Sequence, residues 1–212
     1  MGACGAPGIE RYEIEVQLSD LEVEPLQGVP VDNSSPGLRF IKVVADVMET
    51  LVLSLALFLG INFMTARIRV EGASMEPTLL HGQFVMVNRL AYRLGEPGYG
   101  DVVVFHFPRD PQQEYIKRIV GLPGDKIRVD NGQVFVNDQV WIEPYLNEAP
   151  QYNGEWEVPE DQLFVLGDNR NNSSDSHRWG MVPLEYVVGK ALFVYWPFTD
   201  WKWIQSVALV SQ

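Results

Sequence analysis

The apolar residues of this chain fall into two regimes. From Val43 to Ala66 they form one long run. Beyond Ala66 they come in short alternating segments: "QFVMVNRL", "DVVVFHF", "YIKRIVG", "DKIRV", "QVFVNDQVW", "QLFVLGD" and "VVGKALFVYW" all have strand length and are rich in Val, Phe and Tyr. "VDNGQV" predicts a hairpin, with Asn131-Gly132 in a type I′ turn. Turn clusters such as "GEPGYG" and "FPRDP" break any helical period, and no internal repeat is present. The polar stretch Glu143 to Asp161 reads as an extended loop or an edge excursion. The pattern predicts a mainly β, antiparallel fold with one membrane helix in front of it.

Thr50 to Ala66 is a run of 17 residues without a charge. At about 1.5 Å per residue that is the lower limit for crossing a bilayer, and extending back to about residue 40 supplies the rest. A buried or interfacial helix is the other reading of such a run. It begins after forty residues, so a retained anchor over 40–66 is expected and not a cleaved signal peptide. Arg39 and Lys42 precede the run and Arg67 and Arg69 follow it, so the flanking charges do not orient it. Ser74 follows Ala66 by eight residues. Fully extended they reach about 26 Å, so Ser74 works close to the bilayer surface.

The chain has 212 residues and a formal charge of −12, which argues against nucleic acid as a partner. Residues 1–38 carry seven acids and one base, Arg11. They read as a disordered acidic tail, or as a short amphipathic binding element. The single cysteine, Cys4, excludes an intrachain disulfide and Cys-rich zinc sites. None of the three histidines, His81, His106 and His177, belongs to an HExxH pair, so no metal or other cofactor is expected. In "GDNRNNSSDS", Arg170 occupies a position where a calcium loop needs a ligand.

Two features carry chemistry. Ser74 sits in "GASMEPTL", in a turn with Gly72 behind it and Met75 and Pro77 after it. Lys117 lies within an apolar-flanked strand, "YIKRIVGLPGD". Alone, the first is an ordinary turn serine and the second a solvent-facing lysine. Together they suggest a dyad in which a neutral amine takes the serine proton. A free lysine has a pKa of about 10.4, and lowering it to about 8 takes roughly 3 kcal/mol, which desolvation can supply.

The order "GASMEPTL", "YIKRIVGLPGD", "LFVLGDNRNNSSDSHRWG" resembles the type I signal peptidases, over roughly Ile41 to Trp196. The resemblance implies a serine endopeptidase that removes signal peptides from exported preproteins, with small residues at −1 and −3. Ser74 is then the nucleophile and Lys117 the general base. Ser173 hydrogen-bonds the lysine amine, and Asp168, Arg118 and Asp175 brace the site. Tyr115, Ile116, Ile119 and Met75 are candidates to exclude water. The fold it implies is a β-rich peptidase domain over 67–212, with a smaller β excursion near 126–161. It also implies a single-pass protein of the cell membrane, N-terminus cytoplasmic and catalytic domain outside, near the secretion translocon.

Two positions depart from the common pattern. Gly72 stands where many members carry a Ser or Thr that helps hold the oxyanion, which leaves backbone donors, chiefly the Ser74 N–H. His177 stands where many have Arg. The aromatic tail Tyr195 to Ile204 holds three of the six tryptophans and suits either the lipid headgroup layer or core packing. A non-catalytic membrane-anchored β adaptor, a self-cleaving repressor-type serine–lysine protease and a histidine-based serine protease are the rivals.

Overall fold

The computed structural model describes residues 36–207. The acidic stretch before them, with Cys4, lies outside the described residues. A helix α1, Pro36–Met64, runs for 29 residues, about 43 Å at 1.5 Å per residue. Gly37–Met64 is long and apolar enough to cross a membrane, and its apolar side chains are exposed (Leu53 63 %, Leu57 66 %). The boundary between two compact units falls inside this helix, after Glu49. The second unit carries every strand described below.

α1 passes directly into β1, Thr65–Arg69, a strand too short and too basic for the alternation to have announced. It pairs with β2, Phe84–Asn88, whose Val85 and Val87 point inward while their neighbours do not. A short helix α2, Ala91–Leu94, leads to β3, Val102–Phe107, and β4, Asp110–Gly121. β5 (Lys126–Asp130), β6 (Gln133–Val136), β7 (Gln139–Trp141) and β8 (Gly154–Glu157) follow, then β9, Gln162–Leu166. Helix α3, Ser176–Trp179, precedes β10 (Val182–Pro183), β11 (Val187–Trp196) and β12 (Lys202–Trp203).

Every strand pairing is antiparallel. The larger sheet has the order β1-β2-β11-β3-β4-β9-β10 with β12 added to β11, and the smaller has β7-β6-β5-β8. The continuous apolar run of β3 has a simple cause: both faces are covered. Val102 and Val104 enter one core cluster with Met75, Val85 and Ile116, and Val103 and Phe105 enter another with Ile119 and Val165.

The Asn131-Gly132 turn joins β5 to β6 with φ of 48° and 79°, as the hairpin motif predicts. "QVFVNDQVW" is not one strand. Asn137 and Asp138 adopt φ of 50° and 65° and split it into β6 and β7. Asn and Asp tolerate that left-handed region, so a second tight hairpin forms. Within Glu143 to Asp161, β8 adds to β5 as the edge of the smaller sheet and the rest is loop. The aromatic tail is not core: Trp196, Phe198, Trp201 and Trp203 are 48 %, 75 %, 53 % and 60 % exposed.

The two sheets share one core cluster. Phe164 of β9 packs with Ile127, Val129 and Val134 of the smaller sheet and against the Trp156 ring, 5.2 Å away. Phe164→Ala should cost about 3–5 kcal/mol of folding stability, because a fully buried aromatic leaves a cavity both sheets border. Urea denaturation of the detergent-solubilised protein, followed by tryptophan fluorescence, measures it.

Candidate active site

Ser74 is carried on a loop closed at its base and plugged into the core. Val70 N–H donates to the Gln83 carbonyl (2.8 Å) and Gly82 N–H to the Val70 carbonyl (2.9 Å). Met75 and Leu79, both 0 % exposed, anchor the loop, and Leu79 N–H closes a turn onto the Met75 carbonyl at 2.8 Å. Gly72 has φ of +81°, a conformation a side chain would strain, and its N–H donates to His81 Nδ1 at 3.0 Å. That N–H is therefore engaged, whereas the Ser74 N–H has no partner among the described residues.

Lys117 is positioned by β4, where its residue pairs with Val103 of β3. It is 4 % exposed. Its Nζ donates to Ser74 Oγ and to the Ile116 carbonyl, each at 2.8 Å, and lies 5.5 Å from the centre of the Tyr115 ring. Burial lowers the Lys117 pKa from 10.5 to about 8, with Asp175 and Asp168 opposing that shift. An amine with that pKa is partly neutral near pH 7 and can accept a hydroxyl proton.

Successive strand residues face opposite ways, and the next one, Arg118, turns to Asp168. Its Nε and Nη2 hold the two carboxylate oxygens at 2.8 and 2.7 Å, in a bidentate pair that is almost wholly buried. Nη1 donates to the carbonyls of Gly100 (2.8 Å) and Gln205 (3.0 Å). The loop after β9 then grips the Ser74 turn directly. Asn169 N–H donates to the Ser74 carbonyl at 3.0 Å and Asn169 Nδ2 to the Ala73 carbonyl at 3.1 Å. Gly167 is required by close approach: a Cβ there would lie 2.4 Å from the Ser74 carbonyl oxygen and 2.2 Å from Ser173 Oγ.

Asp175 caps α3 and accepts from Gly167 N–H at 2.9 Å and from the His177 ring through Nδ1. Burial pushes its pKa up, but hydrogen bonds from His177 and the Gly167 N–H, with the Ser173 hydroxyl nearby, hold it below the ordinary value. Arg178 Nε donates to His177 Nε2 at 3.1 Å. His177 thus stands between Asp175 and Arg178, in contact with both.

Ser173 differs from its expected role. Its hydroxyl is buried and makes no hydrogen bond to Lys117, or to any described residue. It packs against Gly167, close enough to Asp175 to favour the carboxylate without reaching hydrogen-bond geometry. The Ile116 carbonyl is the amine's second partner instead. Arg170 was not among the expected site residues, yet it is fully buried, donates to the Gly167 carbonyl (3.0 Å) and forms a two-pronged ion pair with Glu143. No local signal marks that pair, since the partners lie 27 residues apart. Asn169 was likewise hidden within an Asn-rich turn.

Ser74 and Lys117 open onto a cleft of about 720 Å³, walled by Arg67, Ile68 and Arg69 of β1 and by Glu114, Tyr115 and Ile116 of β4. Both walls end in unpaired strand edges. Among the described residues β1 pairs only with β2, and β9 meets β4 only from Arg118 onward, so Gln113 to Lys117 have a side with no strand partner.

The family model "Signal peptidase, peptidase S26" matches residues 43–196. The chain belongs to that family and is a peptidase, a hydrolase. It is 43 % identical over 160 residues to the Synechocystis sp. protein titled "Probable signal peptidase I-2", covering 72 % of this chain and 73 % of that one. It is 40 % identical over 159 residues to a signal peptidase I of Leptolyngbya laminosa, covering 71 % and 78 %. A crystal structure of a signal peptidase I from Enterococcus faecalis matches with a TM-score of 0.42 and 31 % identity, over 44 % of this chain and 95 % of that one.

Burying Lys117 has a testable effect on stability. Below pH 8 the amine is protonated folded and unfolded, and the fold bears the full desolvation cost. Between pH 8 and 10.5 the folded state releases its proton first, so stability rises with pH; above 10.5 the cost is gone. Lys117→Met should therefore be more stable than the parent at pH 7 by about 3 kcal/mol, with the gap closing toward pH 10.5. Urea midpoints at pH 7, 9 and 10.5 check it.

Proposed function

We propose that this chain is a membrane-anchored endopeptidase that cleaves signal peptides from exported preproteins, with Ser74 as nucleophile and Lys117 as general base. The observation that carries the reading is the 2.8 Å contact between Lys117 Nζ and Ser74 Oγ at the head of a cleft. A β adaptor has no need of that contact, and no histidine forms a hydrogen bond to Ser74 among the described residues. The neutral amine takes the Ser74 proton as Oγ attacks the scissile carbonyl. The resulting ammonium then gives a proton to the departing amine. The unpaired Ser74 N–H is the oxyanion donor on offer.

The substrate lies in the cleft as an extended strand between the free edges of β1 and β4, its backbone bonded to theirs. Ile68, Val104 and Ile116 line it beside Ser74 and suit small apolar side chains there. α1 anchors the enzyme so that this cleft stands at the bilayer surface, and the exposed Trp196, Trp201 and Trp203 suit the headgroup layer. The N-terminus is cytoplasmic and the domain after Ala66 lies on the outer side, where preproteins emerge from the translocon.

Ser74→Ala should abolish cleavage, and Lys117→Ala should lower kcat roughly 10³-fold or more at intact fold. Lys117→Arg should fail too, because guanidinium keeps its proton. In the parent, log kcat/KM should climb with unit slope up to pH about 8 and level off above it. Full activity of Lys117→Ala would assign the base elsewhere.

A preprotein with alanine at −1 should be cut and its phenylalanine counterpart should not, if the branched side chains of Ile68, Val104 and Ile116 bound a shallow site beside Ser74 as proposed. Mapping the new N-terminus of each product by mass spectrometry checks this, and equal cutting of both would remove the small-residue requirement.

A further inference from the structure

A second groove, about 620 Å³, adjoins the first cleft, and Glu114 lines both. The join follows the strand register. Val104 pairs with Ile116 and His106 with Glu114, so the two pairs are consecutive on one face of the β3–β4 hairpin. Val104 and Ile116 floor the active-site cleft, and His106 and Glu114 line the adjoining groove. An extended chain leaving the cleft along β4 therefore passes from one to the other without turning.

The groove lies at the membrane end of the unit. Arg89, on its rim, donates its N–H to the carbonyl of Met64, the last residue of α1, at 3.0 Å. Leu184, Val187 and Val188 give it an apolar floor, and Arg89, Arg93 and Glu185 give it a charged rim. Neither Arg89 nor Arg93 forms an ion pair or a side-chain hydrogen bond among the described residues. Such a rim satisfies peptide carbonyls and N–H groups, and the floor covers side chains.

We infer that this groove binds the substrate polypeptide upstream of the cut, between the residues that fit beside Ser74 and the segment still in the bilayer. The inference rests on the signal-peptidase reading. The polarity follows from geometry: the membrane-embedded part of a preprotein lies on the side where α1 ends, and the groove is on that side. At about 3.3 Å per residue, a strand pairing along β4 reaches Glu114 about three residues from Lys117, and the groove takes those before. The enzyme thus reads a longer stretch than the small residues at the cut.

The test compares two substrates, a full-length preprotein and a peptide that begins three residues before the cut. In the full-length enzyme, Arg89→Ala/Arg93→Ala should lower the ratio of kcat/KM for the preprotein over the short peptide about three- to tenfold, chiefly through KM. Lys126→Ala, on the smaller sheet, should leave the ratio as it is. Independently, Arg93→Cys in a Cys4→Ser/Ser74→Ala background, labelled with a benzophenone maleimide, should crosslink to preprotein residues upstream of the cut. An unchanged ratio, or adducts on the mature side or no stronger than those of Glu155→Cys, would overturn the groove assignment. A parent enzyme that cuts neither substrate would instead remove the signal-peptidase reading, and the inference with it.

Discussion

Burial of the Lys117 amine is the constraint from which the rest of the site follows. In water an ammonium holds its proton to a pH well above neutrality, and a serine hydroxyl beside it gains nothing. At 4 % exposure the charged form loses its hydration, and the pKa falls to about 8. Ile116 precedes Lys117 on β4 and the Tyr115 ring lies 5.5 Å from its amine, and each is part of the core or packed on it. Burial of the amine is thus a property of the whole β-sheet and not of Ser74 and Lys117 alone.

A dry amine also limits what charges can stand near it. Asp168 and Asp175 would restore its proton if left free, and both are turned to other partners. Arg118 holds Asp168 with two hydrogen bonds, and the His177 ring and Gly167 N–H hold Asp175. Arg170 and Glu143 repeat the device one step further out, tying the loop after β9 to the segment after β7. Buried pairs of this kind add little net stability against apolar replacements, but losing one partner is severe. Their effect here is geometric: the loop they brace is the one whose Asn169 grips the Ser74 carbonyl.

The same economy of position links the site to the apolar helix. α1 ends at Met64 and β1 begins at the next residue, so no linker intervenes between the helix and the cleft. One wall of the cleft is that first strand. An extended polypeptide lying in the cleft as proposed would have a strand edge on each side of it that is unpaired among the described residues. Recognition through backbone bonds, as proposed, would ask little of the substrate's sequence beyond side chains that fit beside Ser74.

The one-dimensional pattern carried the element types well. Alternation marked β2, β5 and β6, the continuous run marked a two-sided β3, and Asn131-Gly132 marked its hairpin. The exposed α1 was legible because seventeen uncharged residues in a row have few other uses. The pattern overran at Asn137-Asp138, since either residue is tolerated in strand or left-handed turn and only pairing in the smaller sheet decides between them. It was silent on β1, two of whose five residues are arginines facing outward.

For the site, the sequence by itself singled out Ser74 and Lys117 as chemistry-bearing residues, because a turn serine and an apolar-flanked lysine are readable locally. That they stand 2.8 Å apart across 43 residues was a matter for the tertiary structure. So were Arg170 with Glu143, the grip of Asn169, the orphaned Ser173 hydroxyl and the His177 ring on Asp175. A hydrogen bond depends on distance and angle between atoms that the chain brings together only after its strands pair. Local sequence carries propensity and periodicity, whereas the depth at which an amine is buried is set by every side chain packed around it.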